Sequence, residues 1–105
     1  MVNEASKPWF CYVVRCREGS LYVGIAADLE ERVREHNWGV GAAFTAKRRP
    51  VALVWFELFA SHEEARKRVG AIKRWSRTKK LQLIAEFQGK VLPASGSSKA
   101  MAARA

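Results

Sequence analysis

The chain has 105 residues, 49% of them hydrophobic, which suits one domain around one modest core and excludes a disordered chain. Its 19 Lys and Arg against 10 Asp and Glu leave a formal net charge of +9, which favours a polyanionic partner, either nucleic acid or an anionic surface. The longest apolar run, Val51 to Phe56, is too short to cross a bilayer, and Met1-Val2-Asn3-Glu4 lacks the charged-then-apolar build of a secretory signal. The expectation is therefore a cytoplasmic protein without a membrane partner.

Residues 1–8 read as a flexible lead-in. Trp9 to Cys16 predicts a strand, with Phe10, Tyr12, Val14 and Cys16 on one face and Cys11, Val13 and Arg15 on the other. Cys11 and Cys16, the only cysteines, thus fall on opposite faces, can neither pair locally nor match a zinc spacing, and read as buried free thiols. Arg17-Glu18-Gly19-Ser20 predicts a hairpin turn, with Gly19 free to take a positive φ, and Leu21 to Ala26 the return strand. Asp28 is placed to cap a helix that runs to about His36 or Asn37, where Gly39 and Gly41 stop it, with Glu31 completing a capping box and Leu29 and Val33 as the apolar stripe. Arg32 and His36 share one face of that helix at i and i+4.

From Trp38 to Pro50 a long loop is expected, carrying Lys47, Arg48 and Arg49. Val51 to Phe59 predicts a third strand, apolar on both faces apart from Glu57 and so expected at the sheet's centre. Ser61 with Glu64 caps the next helix, whose inward stripe is Ala65, Val69 and Ile72. A last helix from about Arg77 to Gln88 turns Leu81, Ile84 and Ala85 inward and ends at Gly89. Residues 89–105 read as a flexible tail, leaving the folded domain at residues 9–88. The order β-β-α-β-α-α predicts an α+β domain in which helices flank a three-stranded antiparallel sheet.

Phe10-Cys11-Tyr12, Tyr22-Val23-Gly24 and the Arg32-x-x-x-His36 spacing on a capped helix together resemble the GIY-YIG nuclease superfamily, in particular its small single-domain, UPF0213-like branch. The resemblance covers roughly Trp9 to Glu86 and implies the same fold. It also implies metal-assisted phosphodiester hydrolysis of nucleic acid, most naturally DNA. On that footing Tyr12, Tyr22, Arg32 and His36 are the catalytic set: the first tyrosine receives a proton from water, the arginine supports the phosphate, and the histidine assists. Gly24 is the close-approach glycine, and Thr45 matches a threonine that the family keeps in the loop.

The departure is in the second helix. Glu64-Ala65 and Ile72-Lys73 fix the register without a gap, and the family's metal-binding glutamate position is then Val69. Glu64 lies roughly 140° round the helix from Val69. Without a carboxylate there, a Mg²⁺ or Mn²⁺ ion loses a hard oxygen ligand. Two readings follow: an endonuclease-like protein requiring Mg²⁺ or Mn²⁺, or a nucleic-acid-binding module in which catalysis is impaired. For either, Lys47, Arg48, Arg49, Lys73 and Arg74, interleaved with Trp38, Phe44 and Trp75, are candidate contacts to phosphates.

Overall fold

The structure is a computed structural model and describes residues 7–91. The elements run β1 (Trp9–Arg15), β2 (Leu21–Ala26), α1 (Leu29–Trp38), α2 (Ala43–Ala46), β3 (Ala52–Phe59), α3 (His62–Lys73) and α4 (Arg77–Val91). This is the expected α+β architecture, a three-stranded antiparallel sheet with helices, plus one extra helical turn, α2, within the Trp38–Pro50 connection. Residues 1–6 and 92–105, which hold most of the two segments expected to be flexible, lie outside the described residues.

The β1–β2 hairpin closes as its residues dictate. Gly19 adopts φ 101°, and the Cys16 amide donates to the Ser20 carbonyl at 2.8 Å. Tyr12 then faces Gly24 directly across the two strands. The sheet order is β2-β1-β3, so β1 is central and β3 is an edge strand, which overturns the expectation drawn from its apolar character. The reason is local. A register shift opposite Val13 and Val14 puts an extra residue into β3 and breaks the strict alternation of faces. Val54 and Trp55 both join the core on one sheet face, while Leu53 and Phe56 pack on the other. Double-sided burial there comes from the bulge and from helices over both faces, not from flanking strands.

The sheet separates two apolar clusters. One face gathers Cys11, Val13, Val23, Val54 and Trp55 against Val69 and Ile72 of α3 and Ile84 of α4. The other packs Tyr12, Val14, Cys16, Ala26 and Val51 against Leu29 and Val33 of α1. The two cysteines are free, buried and in different clusters, as their spacing predicts. Asp28 and Ser61 cap α1 and α3 by accepting from the Glu31 and Glu64 amides, at 3.0 and 3.2 Å. α4 departs from expectation twice: it continues through Gly89 to Val91, and Ala85 is exposed while Leu81, Leu83 and Phe87 pack around Ile84. A glycine late in a helix lowers its propensity by only about 1 kcal/mol relative to alanine, too little to end it alone.

Candidate active site

β1, β2 and α1 converge on one buried hydrogen-bonded group. The Tyr12 ring lies over Gly24: a Cβ built on Gly24 would stand 2.5 Å from the Tyr12 hydroxyl and 2.6 Å from Cζ. Only a glycine at that cross-strand position leaves room for the ring. The ring's far end reaches α1, where the Tyr12 hydroxyl is 2.7 Å from His36 Nε2 and receives Arg32 Nε–H at 3.4 Å. Tyr12 and His36 are both fully buried. Tyr22 closes the cluster, its ring edge-on to His36 at 5.3 Å and stacked on Phe44 at 6.0 Å.

His36 is held from the other side by the α1–α2 connection. Its Nδ1 is 2.7 Å from the hydroxyl of Thr45, itself fully buried in α2. Gly41 permits that approach, because a Cβ there would stand 2.7 Å from His36 Nδ1. Gly39 ends α1 at φ 88° and turns the chain back. From sequence, Gly39 and Gly41 read only as helix stops, and Thr45 has no role of its own. The missing piece is the fold-back that sets residues 41 and 45 against residue 36.

Electrostatics divide this cluster. Burial pushes the Tyr12 phenol up to about 12, against the opposing pull of Arg32. Burial, and then the Arg32 charge, lowers His36 below its ordinary value, so the imidazole stays neutral near pH 7. Arg32 is the cluster's only cation and donates through Nη1 to Glu35 at 2.8 Å, a partner that sequence reasoning missed although the i,i+3 spacing was visible. Arg32 and Glu35 line an open cleft of about 320 Å³ with Trp9, Ile25, Asp28 and Glu31.

The remaining candidates lie elsewhere. Val69 is buried on the opposite sheet face, in the cluster on which Ile25 packs. Lys47 and Arg49 line a second open cleft, of about 680 Å³, with Arg17 and Asn37. Arg49 is fixed there by donating to the Ala46 carbonyl at 2.9 Å and the Asn37 carbonyl at 3.4 Å. Arg48 turns away from that cleft, bonded to Glu18 at 3.0 Å and to the Phe44 carbonyl at 2.7 Å, with its guanidinium over the Phe44 ring. Lys73 and Arg74 are exposed at the end of α3 and have no hydrogen bond to the Tyr12 cluster.

A divalent ion of the kind the family resemblance implies does not fit the donors present. Among the described residues no group of three or more His, Cys, Asp or Glu could hold a metal. The glutamate position is a core valine, and Glu35 is already paired with Arg32.

Comparison with known proteins identifies the family and the fold. A UPF0213 protein from Staphylococcus saprophyticus is 52% identical over 77 residues, which is 73% of this chain and 94% of that protein. A UPF0213 protein from Staphylococcus aureus is 51% identical over the same length. The NMR structure of the UPF0213 protein from Bacillus halodurans superposes with TM-score 0.51 at 32% identity, covering 89% of this chain and 93% of that one. That of a protein from E. faecalis gives TM-score 0.54 at 40% identity, covering 83% and 91%. With residues 8–82 matching the profile of the GIY-YIG catalytic domain, the chain belongs to the GIY-YIG family.

Proposed function

We propose that this protein is a DNA-binding, endonuclease-like GIY-YIG protein of the cytoplasm whose phosphodiester chemistry is centred on Tyr12, with Tyr22, Arg32 and His36. The observation that carries the reading is the bonded set of Tyr12, His36 and Arg32, assembled over Gly24 from three elements. In this reading Arg32 binds the scissile phosphate, donating from a guanidinium that already borders the open cleft. Tyr12 takes up the proton of the attacking water, and His36 supports the phenol's loss of its own. Tyr22 and Phe44 wall the group, while Lys47, Arg49, Lys73 and Arg74 attract backbone phosphates. The two buried free thiols support a reducing compartment.

A second reading, a binding module with little or no cleavage, is favoured by Val69. An ion such as Mg²⁺ or Mn²⁺ requires oxygen ligands, and this position supplies a methyl-bearing side chain within the core. The test compares the natural chain with Val69→Glu on plasmid, branched and single-stranded substrates, with and without Mg²⁺ or Mn²⁺. Little or no cleavage by the natural chain is the expected result, and metal-dependent cleavage by Val69→Glu follows where the longer carboxylate reaches from its own sheet face to the Arg32 cleft. The ionised carboxylate costs several kcal/mol among apolar neighbours, so the variant melts lower without metal and partly recovers with it. Robust cleavage by the natural chain would overturn the inactivity claim. A folded Val69→Glu that neither binds metal nor cleaves would show that the pocket lacks more than this ligand.

A further inference from the structure

The protons of the buried group can be counted one by one. The Thr45 hydroxyl lies 3.1 Å from the Ala42 carbonyl, to which it donates, and a carbonyl oxygen can only accept. Thr45 has one proton, and once donated to Ala42 it is not available to His36. The 2.7 Å contact with His36 Nδ1 must therefore run the other way, with Nδ1–H donating to the Thr45 oxygen. A neutral imidazole carries a single N–H, so Nε2 is bare. It faces the Tyr12 hydroxyl at 2.7 Å, which must then donate to it. Arg32 Nε–H completes the series by donating to the same phenolic oxygen.

We propose that Thr45 is a positioning residue that locks His36 as its Nδ1–H tautomer, making Nε2 the acceptor of the Tyr12 phenolic proton. Each donor in the series Arg32, Tyr12, His36, Thr45 then points the same way and ends on the Ala42 backbone. Such chains polarise their members in a low-dielectric interior. The other tautomer would set Nε2–H against the phenol and require Thr45 to turn its proton from Ala42 to Nδ1. The lock is built from backbone: the α2 turn holds Thr45 over Ala42, and Gly41 admits the imidazole. Insofar as Tyr12 acts in hydrolysis, which rests on the function proposed above, the step is balanced. The Tyr12 O–H breaks with its electron pair left on oxygen, and the proton forms an N–H bond at Nε2. The imidazolium keeps its Nδ1–H on Thr45, and Arg32 faces the phenolate.

The test is ¹⁵N NMR of the full chain labelled at histidine, with no nucleic acid present and His62, the only other histidine, assigned alongside. The wild type is expected to show His36 Nδ1 as a protonated nitrogen and Nε2 as a bare one. Thr45→Val, which keeps the shape and removes the acceptor, is expected to shift His36 to Nε2–H or to a mixture, and Thr45→Ser to restore Nδ1–H. A wild-type His36 protonated on Nε2 overturns the proposal, as does a Thr45→Val protein with the tautomer unchanged. Should Thr45→Val not fold, the wild-type and Thr45→Ser spectra still decide it. Because neither binding nor cleavage is read, a protein that binds no nucleic acid would defeat the proposed function and leave this result standing.

Discussion

Gly24→Ala isolates the contact on which the candidate site is built. In a strand interior, glycine is worse than alanine by about 0.5–1 kcal/mol on backbone grounds, so propensity alone makes the change stabilising. The structure reverses the sign. The new methyl would lie 2.5 Å from the Tyr12 hydroxyl, 2.6 Å from Cζ and 3.0 Å from Cε2. Tyr12 is fully buried and tied at 2.7 Å to His36, so the ring cannot swing clear without losing that bond. Overpacking costs about 1–3 kcal/mol, and the buried hydrogen bond adds about 1 kcal/mol. The net expectation is a loss of roughly 2 kcal/mol, or roughly 10 °C in thermal midpoint for a domain of this size. Circular-dichroism melts in a double-mutant cycle with Tyr12→Leu give the measurement. In the Tyr12→Leu background the ring end is gone, and Gly24→Ala should cost little or become stabilising. An equal cost in both backgrounds, or a stabilised single variant, refutes the reasoning.

Binding should depend on the second cleft. Removing two phosphate contacts with Arg17→Ala and Lys47→Ala is expected to flatten the slope of log K against log salt by about 0.9 per contact on duplex DNA, whereas Arg48→Ala, which breaks the Glu18 and Phe44 contacts, should lower the melting temperature more than the slope. A slope that responds equally to all three changes would count against the cleft. Stability should also follow the His36 charge. The folded pKa lies below the unfolded value of about 6.5, so the unfolded chain binds the proton first; the contribution is whole above pH 6.5 and declines as pH falls below it, by at most about 1.4 kcal/mol per unit. Tyr12, Tyr22, Thr45, Arg32 and Glu35 are the polar and charged groups around it. Denaturant midpoints between about pH 5 and 7.5, with His36→Asn as control, read the slope, and identical profiles for the two proteins would exclude His36 as its source.

What could be read from residues alone was what neighbours in sequence decide. Gly19 in the hairpin and Asp28 and Ser61 as caps are fixed within four residues of themselves. The pairing of Tyr12 with Gly24 follows from the hairpin register, and the two motif tyrosines from their spacing. The place of β3 was not legible, because the bulge that puts Val54 and Trp55 on one face is set by pairing with Val13 and Val14. α2 escaped because a four-residue turn has no periodicity to detect. Thr45 and Gly41 acquire their roles only once Gly39 folds the chain back onto His36, and Arg48 is drawn off by Glu18, thirty residues away.

The excess positive charge does not reside where the chemistry is assigned. The cleft that Arg32 borders sets that cation among Asp28, Glu31 and Glu35, with Glu31 paired to Arg34 at 2.6 Å, whereas Arg17, Lys47 and Arg49 line the other cleft with no carboxylate among them. A phosphate approaching Arg32 meets a guanidinium already held by Glu35, with Asp28 beside it. The Arg32–Glu35 pair is about one-third exposed on each side, and such pairs are worth only about 0–1 kcal/mol, so a phosphate can displace Glu35 at small cost. Displacement leaves Glu31 paired with Arg34 and Asp28 capping α1, so the cleft offers the phosphate no second free cation among its lining residues. On the function proposed above, affinity would come from the basic cleft, with Arg32 orienting what that cleft delivers. This division accounts for a chain that keeps Tyr12, His36 and Arg32 bonded together while carrying a valine at the metal position. Binding in that reading uses the distant cations, and the buried polar group persists because Gly24, Gly41 and Thr45 leave it fully enclosed and satisfied.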